Sequence, residues 1–175
     1  MLKRTCRVAT AIMLIVASTV HGYVSPISIK ELVEKSAVIV VAKVTGATPQ
    51  KADEVRVRIA TATVLAVWKG PATLRQVHFV ASPTWTCDIA DAKVGETAIL
   101  FLAHDDQQDA FVIMHAGRGR MPIEGAESDQ RAVIWADVLL PRGTRLYPGP
   151  EPEYAFIRAI SVGDLESIVS SLVSK

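Results

Sequence analysis

Cys87 sits in the stretch ASPTWTCDIA, Ala81 to Ala90, and the chain's other cysteine is Cys6. A single thiol in such a loop has four chemistries open to it: nucleophile, metal ligand, disulfide partner or small apolar core residue. A nucleophile needs a base and an orienting group. His78, His104 and His115 are the bases on offer, but no glycine-rich oxyanion loop or helix start follows Cys87. A zinc site favours histidines or cysteines about two to five residues apart, and none of these histidines has such a neighbour. His104, Asp105, Asp106 and Asp109 imitate a metal loop. Carboxylates and glutamine are ordinary turn chemistry, however, so HDDQQD reads as a polar hairpin turn. Asp88 and Asp91 could work as an acid–base pair; on a loop beside Lys93 they read as solvated. His78 falls in a strand, as a satisfied or exposed side chain. Arg118 and Arg120 flank Gly119 and offer either an anion cradle or a charged strand end. No Walker loop, dinucleotide fingerprint, H-E-x-x-H or G-x-S-x-G is present. The residues imply no catalytic centre, no metal site and no cofactor, so the chain is expected not to be an enzyme.

Three tryptophans could serve binding. Trp68 ends a strand and is expected to cap the core. Trp85 lies beside Cys87 and is the candidate aromatic anchor at a partner interface, with core packing as the alternative. Trp135 is the third member of any such platform.

What positions these residues depends on where the protein lives. MLKRTCRVATAIMLIVASTVHG begins with Lys3, Arg4 and Arg7 and continues as an apolar run from Val8 to Val20. That is the anatomy of a secretory signal peptide, residues 1–22, and the run is short of the roughly 20 apolar residues of a membrane span. Cleavage is expected after Gly22, with Ala17 or Thr19 as alternatives. Removing three cations leaves 16 basic against 18 acidic residues, a formal charge of −2. That balance excludes the electrostatic footprint of a nucleic-acid binder and a polybasic membrane patch. Cys6 leaves with the signal, and an odd cysteine in an oxidising compartment suggests a free thiol or a disulfide dimer through Cys87. The expected location is secreted or periplasmic, with no membrane span after cleavage.

The remaining chain reads as follows. Ser28-Ile29-Lys30-Glu31 is a capping box opening a helix to about Lys35. AVIVVAKV, Ala37 to Val44, is a buried strand, and Gly46 to Asp53 a turn-forming connection. EVRVRIATATVLAVWKG then alternates over its whole length, predicting a long, bent strand that ends at Lys69-Gly70-Pro71. Shorter strands are predicted at Gln76–Val80, Thr97–Ala103 and Ala110–Met114, a further one in GRGRMPI, and an apolar stretch at Arg131–Leu140. YPGPEPE, 147–153, is an extended spacer. A C-terminal helix, capped by Ser161, carries Val162, Leu165, Ile168, Val169, Leu172 and Val173 on one stripe. Too short to stand alone, it should pack on the barrel or on a partner. Consecutive strands with short turns argue for a mainly β fold, a small barrel with helical additions.

The order of segments resembles a known family. SPISIKELVEKSAVIVVAKV (Ser25–Val44), VRIATATVLAVWKGP (Val57–Pro71), VHFVASPTWTCDIADAKVGETAILFLA (Val77–Ala103) and GRGRMPI together look like the N-terminal domain of the tissue inhibitors of metalloproteinases, part of the netrin-like group. The resemblance implies an OB-like five-stranded Greek-key barrel at 23–123, with 124–175 as a C-terminal extension. It also implies a contact edge: Tyr23, Val24, Ser25 and Pro26 beside Ser82, Pro83, Trp85 and Cys87. In that family a Cys-x-Cys precedes the Ser-Pro. The first cysteine chelates the target's zinc through its amino group and carbonyl, and is tied by a disulfide to the loop cysteine. Here the Cys-x-Cys falls on Gly22, Tyr23 and Val24, so Cys87 has lost its partner, and a further family cysteine falls on Glu34. An untied terminus must be ordered at the moment of binding, which weakens chelation. The resemblance thus implies an exported binding module with a protein partner, in its sharpest form a zinc metalloproteinase that it binds or inhibits. The alternatives are a non-inhibitory structural or interaction protein of the cell envelope and a glycan-binding module.

Overall fold

The structure is a computed structural model that describes residues 24–52, 55–83, 88–105, 110–150 and 156–174. The expected signal segment, Tyr23, Trp85, Cys87, Asp106, Asp109 and part of the proline-rich spacer lie outside the described residues.

In chain order the elements are β1 (Ile27–Ser28), α1 (Ile29–Lys35), β2 (Val38–Ala52), β3 (Val55–Lys69), β4 (Gln76–Val80), β5 (Thr97–His104), β6 (Phe111–Ile113), β7 (Arg120–Glu124), β8 (Arg131–Trp135), β9 (Val138–Leu139), β10 (Tyr147–Pro148), β11 (Ile157–Ser161) and α2 (Val162–Val173). Strands β2-β3-β4-β6-β5 close on β2 as a five-stranded barrel. Only the β4–β6 pair is parallel; the other barrel pairs are antiparallel. That connectivity is the OB-like Greek key expected from the sequence. From β5 the sheet also runs outward through β7, β8, β11 and β10, so the C-terminal residues extend the same sheet.

The alternation in β3 is real. Its small face, Ala60 and Ala62, is buried in the barrel with Val64 against it, while Leu65 stands 59% exposed on the other side. Alanines suit the interior of a narrow barrel, where Phe79, Leu100 and Leu102 fill the space. The expected connection at Gly46–Asp53 is instead strand. A 15-residue alternating β3 needs a partner of its own length, and β2 pairs with it from Ile39 to Ala52. The turn-forming character of Gly46 is absorbed by a register shift between Val44 and Gly46.

β2 and β5 are buried on both faces. Val38, Val40, Ala42, Leu100 and Leu102 point into the barrel; Ile39, Ile99 and Phe101 enter a second core with Leu32, Val33, Met121, Ile134, Ile160, Leu165 and Val169. This is why both strands read as near-continuous apolar runs. Trp68, expected to cap the barrel, packs half-buried on this second core, because its neighbour Val67 faces the barrel and alternation turns Trp68 away.

Both helices are capped as the sequence implies. Ser28 accepts from the Glu31 amide at 3.1 Å and Ser161 from the Asp164 amide at 3.3 Å. The C-terminus of α1 gains a cation: Lys69 Nζ donates to the carbonyls of Val33 (2.7 Å) and Ser36 (2.6 Å). No helix among the described residues is long and apolar enough to cross a membrane.

Candidate contact surface at one end of the barrel

The expected edge begins with Val24, buried, then Ser25 and Pro26, both exposed, then Ile27, buried. Ile27 is fixed by its amide on the Asp137 carbonyl (2.9 Å) and by parallel pairing of β1 with β9. Buried residues on either side thus present Ser25 and Pro26 to solvent. The Ser25 carbonyl accepts from His115 Nε2 at 2.6 Å.

His115 begins a tight turn between β6 and β7. His115 (φ 53°), Ala116 (φ 50°) and Gly117 (φ 83°) are left-handed in succession. Non-glycine residues there cost on the order of 1–3 kcal/mol each, so the surroundings must enforce the shape. They do: Met114 donates to the Phe101 carbonyl (3.0 Å), Phe101 to the Gly119 carbonyl (2.8 Å) and Gly119 to the Met114 carbonyl (3.0 Å).

The second expected segment docks on the same turn. Ile89 donates to the Ala116 carbonyl at 3.1 Å. Gly117 lies so close that a Cβ there would stand 2.4 Å from the Ala90 nitrogen. Ser82, half-buried, accepts from the Arg58 amide at 2.6 Å; Pro83 is exposed. Asp88 Oδ1 accepts from the Ala90 amide at 2.9 Å, a local turn that orders the return of the loop. Ser25 and the return of the Ser82–Asp88 loop, at Ile89 and Ala90, are therefore brought to one turn. The positions of Tyr23, Trp85 and Cys87 relative to it lie outside the described residues.

Behind the loop stands a polar clasp. Arg58 reaches Asp91 Oδ1 (2.7 Å) and the Ala92 carbonyl (2.8 Å); Arg120 reaches the Asp91 carbonyl (2.7 Å) and Glu96 (3.5 Å). Burial pushes the Glu96 carboxyl above its usual range, against the opposing pull of Arg120. Its Oε1 is buried without a hydrogen bond, so at 3.5 Å the pair is electrostatic only. Asp91 is exposed, as expected beside Lys93, and its carboxylate also pairs with Arg58 on β3.

Arg120 opens β7 and is the expected charged strand end, while Arg118 lies buried in the turn before it. Arg118 is bonded to Asp137 (3.0 Å) and lies 5.2 Å from the Trp135 ring centre, while Arg120 closes the clasp. Trp135 also stacks on Phe156 at 5.4 Å. His78 is exposed and meets the Thr61 hydroxyl at 3.1 Å; His104 packs on Phe111 at 4.7 Å. Among the described residues no three His, Cys, Asp or Glu side chains cluster as metal ligands.

Sequence reasoning missed the role of His115 and of the clasp arginines. The one signal was Gly117, two residues after the histidine in HAGRGR. No protein-family model matches the chain, and no curated protein matches it.

Proposed function

We propose that the chain is an exported protein-binding module whose contact surface is the end of the barrel where Ser25–Pro26 and the Ser82–Asp88 loop meet the His115–Gly117 turn. One observation carries this reading: a single strained turn holds both segments, through Ser25 O···His115 Nε2 at 2.6 Å and Ile89 N–H···O Ala116 at 3.1 Å. Strain concentrated where an exposed segment, Ser25–Pro26, and the half-buried return of a loop meet is the kind of local strain that clusters at recognition sites. A conformation fixed in advance also lowers the ordering cost that the missing disulfide would otherwise leave for binding.

The partner class we infer, from the resemblance and the segment order, is a zinc metalloproteinase. The group that would approach its metal is the α-amino group of Tyr23, freed by cleavage after Gly22. The test is inhibition of a zinc endopeptidase by the purified mature chain, with His115→Ala alongside. Inhibition that weakens about five- to tenfold in His115→Ala, the worth of one lost hydrogen bond, is the expected result. Absence of inhibition at high micromolar concentration overturns the metalloproteinase assignment.

A further inference from the structure

Between the β2–β3 ribbon and the Asp91–Val94 segment lies a cleft of about 360 Å³. Its floor is one face of the ribbon, where Pro49 pairs with Arg58 and Ala47 with Ala60. Its wall is fixed at both ends. Arg58 Nη2 donates to Asp91 Oδ1 and to the Ala92 carbonyl, and the Gly95 amide donates to the Val44 carbonyl at 2.8 Å. Ala47, Pro49, Ala92 and Val94 give it apolar surface, and Val94, 61% exposed, leaves the rim open to solvent. Two cations, Arg58 and Lys93, line it beside one carboxylate, Asp91. We propose that this cleft receives a glutamate side chain of the partner protein, its methylenes on the apolar surface and its carboxylate between Lys93 and Arg58.

The argument is a balance of charge among groups whose partners are all on the page. Asp91 meets Arg58 through Nη2 alone, and Arg58 Nε is buried without a hydrogen bond, so the guanidinium is only partly matched. Lys93 Nζ makes no hydrogen bond or ion pair among the described residues, and its charge is felt at Glu96 without a bond. Cleft and clasp together set Arg58, Lys93 and Arg120 against Asp91 and Glu96, three cations to two carboxylates. A cationic side chain entering the cleft would be repelled. An apolar one would strip water from Lys93 and supply no counter-charge, which is costly. A glutamate supplies the missing carboxylate on a short apolar stem. Asp91 opposes it weakly, because Arg58 already holds that carboxylate at 2.7 Å. The cleft is a shallow floor and wall that one delivered side chain can fill, at the small end of the roughly 300–1,000 Å³ of ligand pockets.

The inference rests on the reading of the chain as a protein-binding module, but its test needs no proteinase. The full chain, ¹⁵N-labelled, is titrated at neutral pH with glutamate capped as the N-acetyl N-methylamide, with the equally capped glutamine, and with n-butyrate. Saturable shifts at the amides of Ala47, Ala92 and Val94 are expected, with capped glutamate bound about tenfold more tightly than capped glutamine. Lys93→Met keeps the stem, removes the charge and should shrink that ratio to less than threefold. Ala47→Phe fills the cleft and should abolish both titrations, its folding checked by unchanged amide signals in β5. No saturable shift, equal affinities for glutamate and glutamine, or a ratio unchanged in Lys93→Met would each overturn the assignment. Binding of butyrate without capped glutamate would overturn it too, by making the cleft a site for a free small acid. Failed titrations with proteinase inhibition intact would count against this inference alone; intact titrations without inhibition would count against the metalloproteinase reading alone.

Discussion

Glu96 shows at a single residue how the clasp is balanced. Burial raises its carboxyl above the ordinary 4.5, with Arg120 pulling the other way. The folded state therefore holds this proton at a higher pH than the unfolded chain. Between 4.5 and the raised value the native state binds more protons, so stability falls as pH rises through that window. Above it, the buried charge is a net cost. Glu96→Gln should then leave stability at pH 7 within about 1 kcal/mol of the parent, or raise it, and flatten the dependence on pH. Urea melts from pH 4 to 7 measure both; a loss beyond about 2 kcal/mol with the slope intact would contradict the assignment. None of this was legible in the sequence. GETAILF shows a glutamate before a strand, and nothing in it says that Arg120, from another strand, will stand over it. Asp91 is exposed as its loop position implied, but its partner Arg58, 33 residues away in sequence, was out of reach of any local spacing.

Elements whose signals are local were legible. Capping serines, an alternating 15-residue run and the stripe of α2 each depend on neighbours within one turn or two strand positions. The β2–β3 ribbon was half legible, because Gly46 and Pro49 look like turn residues and only pairing with β3 keeps them in a ladder. Lys69 was visible as the end of a strand, but its capping of α1 depends on the two elements meeting. Lys69→Met retains the stem and removes the donors, so it should cost about 1–3 kcal/mol in a denaturant melt; an unchanged midpoint would refute the cap. The turn makes a sharper demand. Gly117→Ala must fit a Cβ at 2.4 Å from the Ala90 nitrogen at φ +83°. It should cost at least about 2 kcal/mol and expose the Ile89 amide to hydrogen exchange, while the β2–β5 amides stay protected. Equal loss of protection everywhere would mean that the turn belongs to the global core.

At the scale of the molecule, two cores share two strands. β2 and β5 give one face to the barrel and the other to the helices, and this leaves the barrel's end loops as the places where polar groups gather. The fold class was legible because the order of strands and turns carries it. The sheet's outer strands were less legible: residues 124–175 read as an extension with a terminal helix, and β8, β11 and β10 within it continue the sheet outward from β7 through pairings between residues distant in sequence. Of the expected contact residues, Val24 is interior and acts as an anchor, and Ser25, Pro26 and Pro83 are presented to solvent. Histidine 115, which unites the two segments, lies 90 residues from the serine it holds. No local pattern could reveal that contact.

The proposal that this end of the barrel engages a zinc metalloproteinase is tested most directly by progress curves of a zinc endopeptidase with increasing mature chain. The expected result is saturable, stoichiometric inhibition in the micromolar range, weakened by His115→Ala without loss of folded protein. Uninhibited turnover at high micromolar concentration would contradict it.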